Sequence, residues 1–239
     1  MNLFYIPQLQ ENTDSENWVI DLPSEEAKHA IKVLRLSIDD QVSITDGMGM
    51  LLDARIVAIN KKQCIVKVIG VNKEWGKRDY RIHIAVAPTK NIKRFEWFLE
   101  KATELGIDEI TPLLSFHSER RDIKHERENK VVTSAMKQSL KAYHPKLNDL
   151  CSFNDFMKRN TEEELFIAHL IDEKQLLLRD ACPLKKSVCI LIGPEGDFSK
   201  DEVQIAIEKG YKAVSLGNTR LRTETAALAA CFTVNMLNL

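Results

Sequence analysis

Hydrophobic and polar positions change rhythm once along this chain. From Val19 to Val71 short alternating or apolar runs are separated by turn residues: Gln41 to Thr45, an Asp46-Gly47 turn, Leu51 to Ile59, an Asn60-Lys61 turn, and Gln63 to Val71. Runs of this length, bounded in this way, predict a β-meander. One helix breaks it. Glu25 to Leu36 has helical spacing, with Ser24 as the expected N-cap and Glu25 and Glu26 at the positive end of the helix. The expected product is a small barrel-like β domain over residues 1–72. Asn72 to Arg78, with Gly76 and four charged side chains, reads as a linker.

From Tyr80 onward strands alternate with helices. Arg81 to Ala87 is a strand, Asn91 to Leu105 a helix stopped by Gly106, and Glu109 to Leu113 the next strand, which is a βαβ unit. A long helix is expected over Glu126 to Ala142, stopped near Pro145, and further strands over Leu165 to Leu170, Val188 to Ile192 and Ala213 to Leu216. Thr223 to Leu237 is a helix apolar on nearly every side, which predicts burial, in part against a second subunit. Residues 78–239 are therefore expected to form an α/β domain.

Two loops of this domain carry the candidate chemistry. Gly193-Pro194-Glu195-Gly196 follows the run ending at Ile192 and leads to Ser199, Asp201 and Glu202, a helix start. Leu216-Gly217 follows the last strand and runs through Leu221-Arg222-Thr223-Glu224-Thr225-Ala226 into the last helix, with Thr223 as the expected N-cap. Loops at the carboxyl ends of neighbouring parallel strands are where open α/β sheets bind small ligands through backbone groups. The only early GxG, Gly47-Met48-Gly49, lacks a third glycine and sits at a hairpin tip, and there is no Walker-type phosphate loop.

Composition narrows the class. With 44% hydrophobic residues in 239 the chain can bury a sizeable core, and no stretch reaches the apolar length of a membrane helix. Residues 1–10 lack the basic start of a secretion signal, so a cytoplasmic location is expected. Five cysteines without CxxC spacing (Cys64, Cys151, Cys182, Cys189, Cys231) read as reduced core thiols, and histidines without HExxH or HxH spacing give no reason to expect a metal. Net charge is -1, yet Arg120 to Lys146 holds eight basic residues against three acidic ones, a local basic face suited to phosphates or simply to water.

The GPEG and LRTETA words together resemble the RsmE family of ribosomal RNA uridine N3-methyltransferases, of the SPOUT class. Lys101-Ala102-Thr103-Glu104-Leu105-Gly106 with Pro112, Ser118-Glu119-Arg120, Gln138-Ser139 with Pro145, and His29 with Val33-Leu34-Arg35-Leu36 extend the likeness over nearly the whole chain. The resemblance implies a C-terminal α/β domain with a trefoil knot, an N-terminal PUA-like RNA-binding β-barrel, and a homodimer joined through the knotted domain. It implies S-adenosylmethionine as cofactor, bent among loops containing Leu170, then Ile192, Gly193, Glu195 and Gly196, then Leu216, Gly217 and Leu221. The implied substrate is one uridine of 16S ribosomal RNA in the 30S subunit.

Methylation at uridine N3 requires the N3 proton to leave, so a general base or a cation near the developing anion would lower the barrier. Glu224 is the candidate base and Arg222 the candidate stabiliser. His29, Lys32 and Arg35 in the first domain, and Arg120, Arg121, Lys137 and Lys141 in the second, are candidate RNA contacts. The chain departs from the family pattern at Lys137, where an acidic residue is common, at Lys141, where arginine is common, and at Asp197, where a second glycine often follows GPEG. Two alternatives stay open: another SPOUT RNA methyltransferase, acting on ribose 2′-oxygen or on transfer RNA, and a non-catalytic RNA-binding assembly factor.

Overall fold

The computed structural model describes residues 2–10, 18–159, 162–170 and 175–239. The chain divides into two compact units, Met1–Lys77 with Met136–His144, and Arg78–Ala135 with Pro145–Leu239. None of the helices in the described residues is long and apolar enough to cross a membrane.

In the first unit β1 (Leu3–Tyr5), β2 (Val19–Asp21), β3 (Gln41–Thr45), β4 (Leu51–Ile59) and β5 (Cys64–Asn72) form one sheet in the order β1-β3-β4-β5-β2. Among the described residues no pairing closes β2 onto β1, so the expected barrel is seen as a curved path of five strands. Register shifts at Asp53/Ala54 and Ile56/Ala58 bulge the β4–β5 ladder, which bends a sheet. Its core is Phe4, Trp18, Ile44, Leu52, Ile56 and Val66 with Ala27 and Ala30 of the helical segment.

That segment departs from expectation. Helix α1 covers Ser24–Lys28 with Pro23 at its N-cap, so Ser24 is the first helical residue and its hydroxyl makes no capping bond. Pro23, its φ fixed by the ring and its ψ extended at 149°, is the last non-helical residue, so the helix starts one residue earlier than the serine suggested. A π-helical turn, His29–Val33, follows, and Arg35 at φ 55 ends the run. His29, Lys32 and Arg35 therefore do not form one helical row.

The second unit is a parallel sheet covered on both faces. Its strands are β6 (Arg81–Val86), β7 (Glu109–Leu114), β8 (Lys146–Leu147), β9 (Cys151–Ser152), β10 (Glu164–Ala168), β11 (Leu176–Leu177), β12 (Ser187–Ile192) and β13 (Lys212–Ser215). They run in the order β11-β13-β10-β12-β6-β7-β8, with β9 beside β7. Alternation sorts each strand between two cores. Ile82, Ile84, Val86, Phe166, Val188, Ile190 and Ile192 point one way. Ala85, Leu165, Ile167, Cys189 and Leu191 point the other.

The first face is covered by α2 (Ile92–Leu105) and α7 (Thr223–Leu237) with short α5 (Leu178–Ala181). The second is covered by α4 (Phe153–Phe156) and α6 (Lys200–Glu208). Helix α3 (His125–Gln138) stops before the expected Ala142, because Leu140 enters the left-handed region at φ 54. Asn91 caps α2, its side chain accepting from Lys93 N–H, and Gly106 at φ 101 ends it in the conformation that favours glycine. Ser199 caps α6 in a full capping box with Glu202. The N-cap of α7 is Arg222, so Thr223 is its first residue rather than its cap.

All five cysteines are free, four of them buried. Burial pushes the Cys182 thiol up to about 11, and Cys189 is raised well above the usual thiol range by the same cause, which keeps both protonated and unreactive.

The two serines make a paired test. Ser199→Ala removes the hydroxyl that accepts the Glu202 N–H and should cost about 1 kcal/mol in urea unfolding. Ser24→Ala removes no capping bond and should stay within about 0.5 kcal/mol of the parent. Equal losses would contradict the assignment of the caps.

Candidate active site

Register sets the floor of the site. Ala168 at the end of β10 pairs with Ile192 of β12 on one side and with Val214 of β13 on the other. The two glycine-bearing loops thus leave strands that flank β10, rather than adjacent strands as expected, and the β10 loop emerges between them. All three loops open at the same carboxyl edge. There they enclose a cavity of about 490 Å³, lined by Ala168 to Leu170, Ile192 to Glu195, Asp197, Val214 to Gly217, Thr219 to Thr223, Ala226, and Arg94 from α2.

The GPEG turn is built differently from its sequence. Neither Gly193 nor Gly196 has a positive φ; Asp197 does, at 60°. A Cβ on Gly193 would meet the Phe198 backbone nitrogen at 3.1 Å and Asp197 Oδ1 at 3.2 Å, a tight fit where the chain folds back on itself. A Cβ on Gly196 would meet the Cβ of His117 at 3.0 Å, and Gly196 is not part of the cavity lining. Its space is taken by the neighbouring loop, so of the expected cofactor residues it alone stands outside the cavity lining.

Asp197, the departure from the family pattern, ties two loops together. Leu170 N–H donates to its Oδ2 at 2.8 Å and Phe198 N–H to its Oδ1 at 2.8 Å. Aspartate tolerates the left-handed region better than most residues, and these bonds compensate the strain. Glu195 accepts the Lys90 N–H at 2.9 Å, which fits the expectation that it shapes its loop. Burial holds the half-buried His169 imidazole below its usual pKa, against a smaller opposing pull from Asp197, so it lines the cavity as a neutral ring at neutral pH.

Of the residues expected to hold a cofactor, Leu170, Ile192, Gly193, Glu195, Leu216, Gly217 and Leu221 line the cavity together. Arg222 lines it as well. Glu224 does not: its side chain is 9% exposed, and Arg94 Nε stands 3.8 Å from its Oε1. Arg94 is one functional-type residue that sequence reading missed. It lies on a helix far upstream, and only the packing of α2 against α7 brings it to the cavity.

The expected RNA contacts separate. Arg120 donates through Nε to Thr89 O at 3.1 Å and through a terminal nitrogen to Lys90 O at 2.9 Å, bracing the loop that also holds Glu195. Lys137 is held by both oxygens of Glu26, at 2.7 and 2.9 Å. An acidic residue at position 137 would repel Glu26; lysine makes an ion pair there. Lys141 and His29 are half-buried, whereas Lys32, Arg35 and Arg121 are exposed. Among the described residues His83, Glu162 and Cys189 bring ligand-type atoms within 4.8 Å of one another. Both nitrogens of His83 are already hydrogen-bonded, to Glu162 and Thr111 at 2.7 Å each.

Comparison with known proteins identifies this arrangement. Residues 76–235 match an RNA methyltransferase domain family, and residues 22–69 an RNA methyltransferase PUA domain family. The ribosomal RNA small subunit methyltransferase E of Rickettsia conorii is 33% identical, across 93% of this chain and 92% of its own. The chain belongs to the RNA methyltransferase family of small-subunit methyltransferase E proteins. The Bacillus subtilis protein of that name is 26% identical over 95% of this chain and 93% of its own.

Solved structures agree. A Porphyromonas gingivalis protein described as a probable rRNA-methyltransferase superposes with a TM-score of 0.88 at 40% identity, covering 100% of this chain and 98% of that one. The Neisseria gonorrhoeae methyltransferase E, solved with S-adenosyl methionine, gives 0.86 at 25% identity, with coverage of 100% and 98%. The fold class is therefore the SPOUT-type α/β domain with a PUA-like β domain before it.

Adjacent arginines should behave differently. Arg120→Ala removes the brace on Thr89 and Lys90, and should weaken S-adenosylmethionine binding, measured by calorimetry, about tenfold for the loss of two charge-assisted hydrogen bonds. Arg121→Ala should leave that affinity alone while lowering RNA affinity and flattening its salt dependence. The reverse pattern would return Arg120 to the RNA surface.

Proposed function

We propose that this protein transfers a methyl group from S-adenosylmethionine to N3 of a specific uridine in 16S ribosomal RNA, acting on the 30S subunit. The observation that carries this reading is the loop-built cavity, with Asp197 tying the β10 loop to the β12 loop and Arg94, Arg220 and Arg222 in its wall. Its volume suits a nucleoside-sized ligand.

When bound, the cofactor supplies a methyl group on a good leaving group, so the protein's task is alignment and exclusion of water. Leu170, Gly193, Leu216 and Leu221 form the walls that orient it. Arg222, exposed at the N-cap of α7 and lining the cavity, would stabilise the negative charge that develops on the uracil oxygens when N3 loses its proton. The N3 proton passes to Glu224. Both oxygens of Asp197 and one of Glu195 are committed to backbone N–H groups, whereas Glu224 has, among the described residues, only a 3.8 Å pairing with Arg94.

The first unit, residues 1–72 joined by Met136–His144, is the RNA-holding PUA-like domain, and the remainder of 78–239 is the catalytic domain. Lys32, Arg35 and Arg121 offer exposed cations to phosphates. Two copies associate through the catalytic domain: Phe232 and Met236 of α7 and Trp97 of α2 are 48%, 52% and 42% exposed, an apolar face suited to a second copy.

The direct test is incubation with labelled cofactor and 30S subunits from a methylation-deficient strain, followed by nucleoside analysis. N3-methyluridine is the expected product, from a species that light scattering reports as a dimer. Ribose 2′-O-methylation, or no transfer at all, would refute the reading.

Catalytic roles are tested separately. Glu224→Gln should keep cofactor and RNA binding but lower turnover about a hundredfold, with partial recovery at alkaline pH, where more uridine is already deprotonated. Arg222→Lys keeps the charge but loses the fork geometry and should slow turnover more than binding. Near-normal turnover of Glu224→Gln across pH would leave Glu224 as a holder of Arg94.

A further inference from the structure

We propose that Phe116 is a stacking platform for an unpaired nucleobase of the RNA substrate, placed beside the cavity by the loop between β7 and α3. The proposal rests on the RNA methyltransferase reading above and adds a subsite to it.

Phe116 is 72% exposed, yet the backbone beneath it is fixed. Its N–H donates to Glu202 Oε1 at 2.8 Å, Ser115 N–H donates to Ser118 Oγ at 3.0 Å, and Ser118 N–H returns to Ser115 O at 3.1 Å. An exposed side chain on a mobile loop would be unremarked, since single apolar residues at a surface are common. Here three hydrogen bonds hold an aromatic ring out in water.

The next residue ties that ring to the site. His117 packs edge-on to Phe116, with centroids 5.0 Å apart, and its Nδ1 lies 3.0 Å from the carbonyl oxygen of Asp197 in the cavity wall. Downstream, Arg121 and Lys124 are exposed on the same segment. An aromatic face with exposed cations five and eight residues downstream in the chain suits a splayed nucleotide, whose base offers a π-face and whose phosphates offer charge.

A protein surface fits this spot less well. The flanking residues Ser115, Ser118, Glu119, Arg121 and Lys124 are polar, whereas a subunit contact is built around contiguous apolar area of the kind α7 presents through Phe232 and Met236.

The test uses the full chain with small-subunit ribosomal RNA. Phe116→Ala should raise the KM for RNA about tenfold or more, the scale of losing one base–aromatic stack, with calorimetric affinity for S-adenosylmethionine and turnover at saturating RNA unchanged. Phe116→Trp should restore the KM, because stacking needs a flat aromatic ring and not phenylalanine itself. Direct RNA binding by the same variants reads the platform independently of methyl transfer, so a failure of the catalytic reading is distinguishable. An unchanged RNA affinity in Phe116→Ala would overturn the proposal. So would a change of mass in light scattering, which would make Phe116 a contact between copies.

Discussion

The parallel register at the end of β10 is the constraint on which the site depends. Ala168 stands level with Ile192 and with Val214, so three chain segments far apart in sequence leave the sheet at one height and turn over one floor. Parallel strands each need a long return connection, which is why three loops can crowd at one edge while their helices lie on the two faces. A slip of one residue in β10 would exchange Leu165 and Ile167 with Phe166 between the two cores, so the cores themselves hold the cavity in place.

Polar ties then stiffen what the register positions. The loops over the cavity have little apolar cover, and their shape comes from side chains accepting backbone N–H groups: Asp197 for Leu170 and Phe198, Glu195 for Lys90, Glu202 for Phe116. Arg120 closes the set by donating to Thr89 and Lys90 carbonyls. Each of these bonds is charge-assisted, and so stronger and more directional than a neutral one. A ligand built into such loops meets donors and acceptors already aimed, and loses less ordering entropy on binding.

The longer elements of the second unit were legible from periodicity, because β6, β7, β10, β12 and β13 are mainly apolar runs and Gly106 ends α2 while α7 spans the expected Thr223 to Leu237. The two-residue strands β8, β9 and β11 leave no such pattern. The π-helical turn at His29–Val33 and the early end of α3 were not legible either, since both depend on backbone states that a hydrophobic pattern does not encode. In the site, lining residues carried by the two glycine-bearing words were found, whereas Arg94 and His169 were not. A word in sequence reports a loop; it does not report which distant helix packs beside it. Gly196 shows the converse, a glycine that serves contact with His117 and lies outside the cavity lining.

Charge counting needs the same correction. The excess of basic residues between Arg120 and Lys146 read as one face, but Arg120 is spent on carbonyls and Lys137 on Glu26, while Arg121 and Lys124 remain exposed. An arginine that donates to two carbonyls gives up the fork that would grip a phosphate, so its charge contributes to the field but not to a bidentate contact. The basic segment is thus divided: Arg120 braces the backbone at Thr89 and Lys90, Lys137 pairs with Glu26, and Arg121 and Lys124 stay in water a few residues downstream of Phe116. If Phe116 stacks a base and Arg121 and Lys124 meet phosphates, stacking would fix the plane of the nucleotide next to the target and the cations its direction.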